Sequence, residues 1–173
     1  MLNRYTLTAL GVLIVLAALF LLHANEEEKI LQRLEHLRAL AEITSPETGL
    51  EPLAKAGQIG RFFSELTVFD LTTAGYGSIE IAGRDELVRR ILRVRARLAS
   101  LELALQDARV RIEGDTAEVW LKGSGLGQFQ GEQDRFLEIH TVAVRLRKQA
   151  DEWLVTGATH LRDEREPSPG RPD

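Results

Sequence analysis

The chain has 173 residues, with 22 Lys and Arg against 26 Asp and Glu, for a net charge of −4 at pH 7. No basic excess is available to neutralise a phosphate backbone, so nucleic acid is not an expected partner. Cysteine is absent, which removes disulfides, thiolate nucleophiles and cysteine-based zinc sites.

Read in chain order, the first feature is Tyr5 to Leu22, a run without a charged side chain, preceded by Arg4 and followed by Glu26, Glu27 and Glu28. A bilayer core about 30 Å thick needs roughly 20 apolar helical residues, so the run is just long enough to cross once. It is longer than the apolar region of a usual cleaved signal, and Leu22 is bulky where cleavage requires a small residue. An uncleaved anchor over residues 1–25 is therefore expected. Arg4 favours a cytoplasmic N-terminus, which in a bacterium gives a single-pass inner-membrane protein with its C-terminal domain in the periplasm. The inner membrane, met through residues 5–22, is the first expected partner.

Ile30, Leu31, Leu34, Leu37, Leu40 and Ala41 then form a helical stripe, broken by Thr44-Ser45-Pro46 and Gly49. Pro52 suits the first turn of a second helix, expected to run to about Leu66 with Phe62, Phe63 and Leu66 as its apolar end. Thr67 to Leu71 and Ser78 to Ala82 read as short strands around a turn at Thr72 to Gly77. A third helix is expected from Gly83-Arg84-Asp85 to about Ala99, burying Leu87 and Ile91 and turning Arg89, Arg90, Arg93 and Arg97 outward.

From Leu101 the period becomes alternating. Leu101, Leu103 and Leu105 share one parity and Ala108, Val110 and Ile112 the other, so a bulge near Gln106 or Asp107 is required to keep one face buried. Gly114-Asp115 turns the chain into a strand with Ala117, Val119 and Leu121 on its inner face. Gly123 to Gln133 reads as a long loop, followed by strands Arg135 to Lys148 and Glu152 to Leu161, joined at Ala150-Asp151. The domain is expected to occupy 26–162. Residues 163–173, with three prolines among alternating charges, read as a disordered tail.

"AGRDELVRRIL" (Ala82 to Leu92), "VRIEGDTAEV" (Val110 to Val119) and "VRLRKQADEWLV" (Val144 to Val155) resemble the third helix, the first long hairpin and the terminal hairpin of the nuclear-transport-factor-2-like superfamily. That superfamily includes SnoaL-like cyclases and ketosteroid isomerases. The resemblance implies an α+β fold, cone-shaped, with three helices packed on a curved, mainly antiparallel sheet and a pocket at the open end. These motifs are structural, so they carry a fold and not an activity.

In such a pocket, Glu138 and His140 share parity with Val142 and Val144 and are candidate acid and base. Phe62, Phe63, Tyr76, Val142, Val144 and His160 are the further candidate pocket residues. The first-helix tyrosine of ketosteroid isomerases has no counterpart, since the only tyrosines are Tyr5 and Tyr76. No metal ligand set and no cofactor motif is legible; Gly123-Ser124-Gly125-Leu126-Gly127 lacks the βαβ context of a phosphate loop. On the opposite sheet face Trp120, Leu137 and Ile139 are candidate interface residues for a protein partner or a homodimer. The expected function is a membrane-tethered periplasmic binding or assembly module without catalysis. The alternatives are a SnoaL-like isomerase, cyclase or hydrolase acting on a small hydrophobic substrate, or a carrier of such a ligand.

Overall fold

The computed structural model describes residues 25–73 and 77–161, with side chains described outside 70–79. The proposed anchor at 5–22, Tyr76 and the tail at 163–173 lie outside those residues. Among the described residues no helix is long and apolar enough to cross a membrane.

Helix α1 (25–41) buries Ile30 and Leu34 of its apolar stripe. Helix α2 spans Glu51–Gly60 with Pro52 in its first turn. Strands β1 (Phe63–Thr73) and β2 (Gly77–Ala82) follow, then α3 (Arg84–Arg95), β3 (Leu98–Glu113), β4 (Thr116–Phe129), β5 (Arg135–Gln149) and β6 (Glu152–His160). One six-stranded sheet results, in the order β2-β1-β6-β5-β4-β3. Every neighbouring pair is antiparallel except β1 and β6, which run parallel.

The register of β3 against β4 shifts between Gln106 and Arg109, and Asp107 adopts φ 54°, so the bulge demanded by the parity change is present. A further shift lies between Arg145 and Leu146, opposite β6. Bulges of this kind bend a strand and increase its twist. The resulting concave face carries the core, in which Val119, Leu146, Trp153 and Val155 of the sheet meet Ile30 and Leu34 of α1.

Three boundaries depart from expectation. The second helix stops at Gly60 rather than Leu66, because Phe63 already pairs with Val155 in the parallel ladder and Leu66 is exposed. A Cβ at residue 60 would stand 2.7 Å from Val88 Cγ2, so the glycine permits α2 and α3 to approach. Helix α3 ends at Arg95 rather than about Ala99, and Leu98 opens β3 three residues before Leu101, where the alternating period was expected to begin. Most consequentially, Gly123 to Phe129 is not a loop. It continues β4, paired on one side with Leu98 to Leu105 and on the other with Arg135 to His140.

Candidate functional site

A cleft of about 460 Å³ lies between α1 and the concave face of the sheet. Leu34, Leu37 and Ala41 of α1 form one wall; Leu101, Leu103 and Leu105 of β3 form another. Phe136, Val142 and Val144 of β5 and Val155 and Ala158 of β6 close the far side, with Phe63 and Phe69 of β1 behind them. The glycines explain how a six-stranded sheet leaves this space. Gly123, Gly125 and Gly127 have the parity of the inward-facing Leu121, and their Cα partners on β5 are His140, Glu138 and Phe136. Side chains on one strand face recur every second residue, so three successive inward positions on β4 present none. Over Gly127 the Phe136 ring occupies the vacated volume, whereas at Gly123 the nearest neighbours of a Cβ would be 3.9 Å away.

Polar groups collect at the edge of the cleft. His140 Nε2 lies 3.2 Å from Glu138 Oε2, both side chains partly exposed, and the His160 ring meets His140 edge-on at a centroid separation of 5.2 Å. A neutral imidazole keeps one ring nitrogen as an acceptor, so His140 beside Glu138 can take a proton from a bound molecule and return it. The Arg38 guanidinium also borders the cleft, but it is held by Glu35 and Glu42 and donates to the Leu103 carbonyl at 3.0 Å. Glu42 in turn accepts from the Leu103 N–H at 3.0 Å, which fixes α1 against β3 along the cleft edge.

Of the pocket residues expected from sequence, the structure places Phe63, Val142 and Val144 on the cleft wall and Glu138 and His140 at its edge. His160 touches His140 without lining the cleft. Phe62 does not line it either: it packs edge-on against His36 and under the Arg33 guanidinium, because its neighbour Phe63 takes the inward position where β1 begins. The glycine floor and the three leucines of β3 were missed by sequence reasoning, although glycines at every second position in phase with Leu121 are a signal that could have found them. Trp120 is half-buried on the opposite face, in register between Arg109 and Ala143, while Leu137 and Ile139 are 62% and 52% exposed. That face also holds an open depression of about 570 Å³ lined by charged side chains, including Arg111, Glu118, Arg145 and Arg147. Among the described residues no group of three His, Asp or Glu side chains is placed to hold a metal ion.

The model of the SnoaL-like domain matches residues 54–159, and the chain belongs to that family. No curated protein matches the sequence. Among solved structures, a candidate scytalone dehydratase from Novosphingobium aromaticivorans superposes with a TM-score of 0.66 at 9% identity, covering 80% of this chain and 84% of that one. A candidate dehydratase of the nuclear-transport-factor-2-like family from Streptomyces avermitilis gives 0.60 at 14% identity, covering 81% and 99%. A protein of unknown function with a cystatin-like fold from Nostoc punctiforme gives 0.59 at 12% identity, covering 83% and 96%. At these identities the likeness carries the fold alone.

Proposed function

We propose that this domain binds a small apolar molecule in the cleft between α1 and the sheet, and that the chain is held at a bacterial inner membrane, periplasmic side, by residues 5–22. One observation carries the binding reading: the cleft walls are leucine, valine, phenylalanine and alanine, with polar groups confined to the edge. Its volume of about 460 Å³ falls within the range of small-molecule sites, roughly 300–1,000 Å³. The anchor rests on the uncharged run from Tyr5 to Leu22. Titration of the full chain with N-phenyl-1-naphthylamine, whose fluorescence rises in apolar surroundings, tests the site. Saturable binding lost in Val142→Trp supports it, and binding indifferent to that substitution refutes it.

A second reading is favoured by the 3.2 Å contact between His140 and Glu138 at the cleft edge. In it the domain moves a proton on the bound molecule, as an isomerase or dehydratase would. The dehydratase names borne by two structural neighbours agree with that reaction type. The uncovered sheet face adds a partner: Trp120, Leu137 and Ile139 are proposed to meet a second copy of the chain. The neighbouring row Arg111, Glu118 and Arg145 alternates in sign and so suits a self-matching contact. An unchanged sedimentation coefficient in Ile139→Glu would refute that contact.

A further inference from the structure

A second groove, of about 560 Å³, lies on the other flank of α1, lined by Leu31, His36 and Ala39 of the helix and by Leu105 and Ala108 of β3. Leu34, Leu105 and Leu121 line both this groove and the cleft. We propose that cleft and groove together take one ligand, a linear aliphatic chain with an uncharged hydrogen-bonding head, of the fatty-alcohol class. The proposal rests on the reading that the cleft binds an apolar molecule, and it names what that molecule is.

The sheet lays out the path. His140, Gly123 and Leu105 are Cα partners across β5, β4 and β3, one straight row spanning two interstrand spacings, roughly 10 Å. Gly123 presents no side chain in the middle of that row, so a methylene chain starting beside His140 can lie flat across it. At its end stands Leu105, half-buried, whereas Leu34 and Leu121 are 6% and 5% exposed. Leu105 immediately precedes the register shift between Gln106 and Arg109, where the ladder is interrupted and the strand can yield. Past it the groove is flanked by two alanines, Ala39 and Ala108. Leu34, Leu105 and Leu121 stand between the two spaces, so a rigid fused-ring ligand stays in the cleft, whereas a polymethylene chain can bend past Leu105.

The head group follows from charge. Arg38 is the only Lys or Arg among the described residues lining either space, and its guanidinium is engaged by Glu35, Glu42 and the Leu103 carbonyl. Glu138 stands at the cleft edge beside His140. A carboxylate head would meet Glu138 without a free cation, while a hydroxyl can donate to Glu138 or to the acceptor nitrogen of His140.

The test uses the full chain in membranes with two photoprobes, 1-hexanol and 1-dodecanol, each bearing a diazirine at the terminal carbon, and adducts assigned to single residues. Hexanol adducts are expected at Leu101 and Leu103 in the cleft, and dodecanol adducts at Ala39 and Ala108 in the groove. Because each buried methylene tightens binding about fourfold, dodecanol should label at least about tenfold more strongly at equal concentration. Ala39→Trp, on the exposed side of α1, should return the dodecanol adducts to the cleft and leave hexanol labelling unchanged. Hexanol labelling of the cleft with dodecanol adducts confined there too overturns the extended path alone. Absence of adducts in both spaces overturns the apolar-ligand reading with it.

Discussion

Glu26 accepts a hydrogen bond from the indole Nε1 of Trp153 at 2.7 Å, joining the first described turn of α1 to the start of β6. Lys29 and Lys148 approach the same carboxylate at 2.8 and 3.1 Å. The cluster thus pins the sheet to the start of α1.

The cluster has a pH signature. The hydrogen bond from Lys29, then those from Trp153 and Lys148, hold the Glu26 carboxyl at about 2 rather than its ordinary 4.5. A depressed carboxyl contributes stability that is present above pH 4.5 and is lost as pH falls toward 2. Thermal melts between pH 5 and 2 should therefore show a shallower acid decline in Glu26→Gln than in the wild type, with a lower starting midpoint. Parallel declines would mean that Glu26 is not held this way.

Arg95 and Glu47 form a buried ion pair, 4% and 3% exposed, and Arg95 also donates to the carbonyls of Leu40, Ala41 and Glu42 at the end of α1. Burial pushes the Glu47 carboxyl up, but the hydrogen bonds from Arg95 and Lys55 outweigh it and hold it below its ordinary value. Arg95→Ala leaves the Glu47 carboxylate to Lys55 alone, 3.1 Å away, and removes the donor to three carbonyls at the end of α1, so it should cost about 3 kcal/mol in urea unfolding. Adding Glu47→Met should recover part of that loss. A cost under about 1 kcal/mol for Arg95→Ala would show the pair to be solvated.

Ala150 and Asp151 form the two-residue turn between β5 and β6 with φ of 47° and 65°. Left-handed backbone crowds the Cβ of alanine, and turns of this hand favour glycine and asparagine. Ala150→Gly is expected to stabilise the domain by about 0.5–1 kcal/mol, read as a raised urea midpoint at unchanged slope.

The proton-transfer reading makes a separate demand. Once a substrate is in hand, His140→Ala and Glu138→Gln should each lower kcat by about 10²-fold or more, since positioned acids and bases contribute about that much. Both side chains are partly exposed, so the melting temperature should barely move. Turnover unchanged in both variants would leave the cleft as a binding site only.

Much of the fold was legible because parity and turn chemistry are local signals. The switch from odd to even apolar positions between Leu105 and Ala108 required the bulge at Asp107, and Gly114-Asp115 marked its turn. The shared parity of Glu138, His140, Val142 and Val144 placed them on one face, which the cleft lining reproduces. The failures arose where tertiary pairing overrides local preference. Phe62 and Phe63 fit a helix end by spacing, yet Val155 donates to the Phe62 carbonyl at 2.8 Å and draws the chain into a parallel ladder. The glycines from 123 to 127 lack strand propensity, and only their two neighbours, β3 and β5, make them strand. The mistaken loop hid the floor of the site.

Native mass spectrometry of the full chain purified from its host tests the central claim most directly. The account predicts a single bound apolar molecule of low mass that survives purification and disappears in Val142→Trp. An adduct-free mass in the wild type, or the same adduct retained in Val142→Trp, would contradict it.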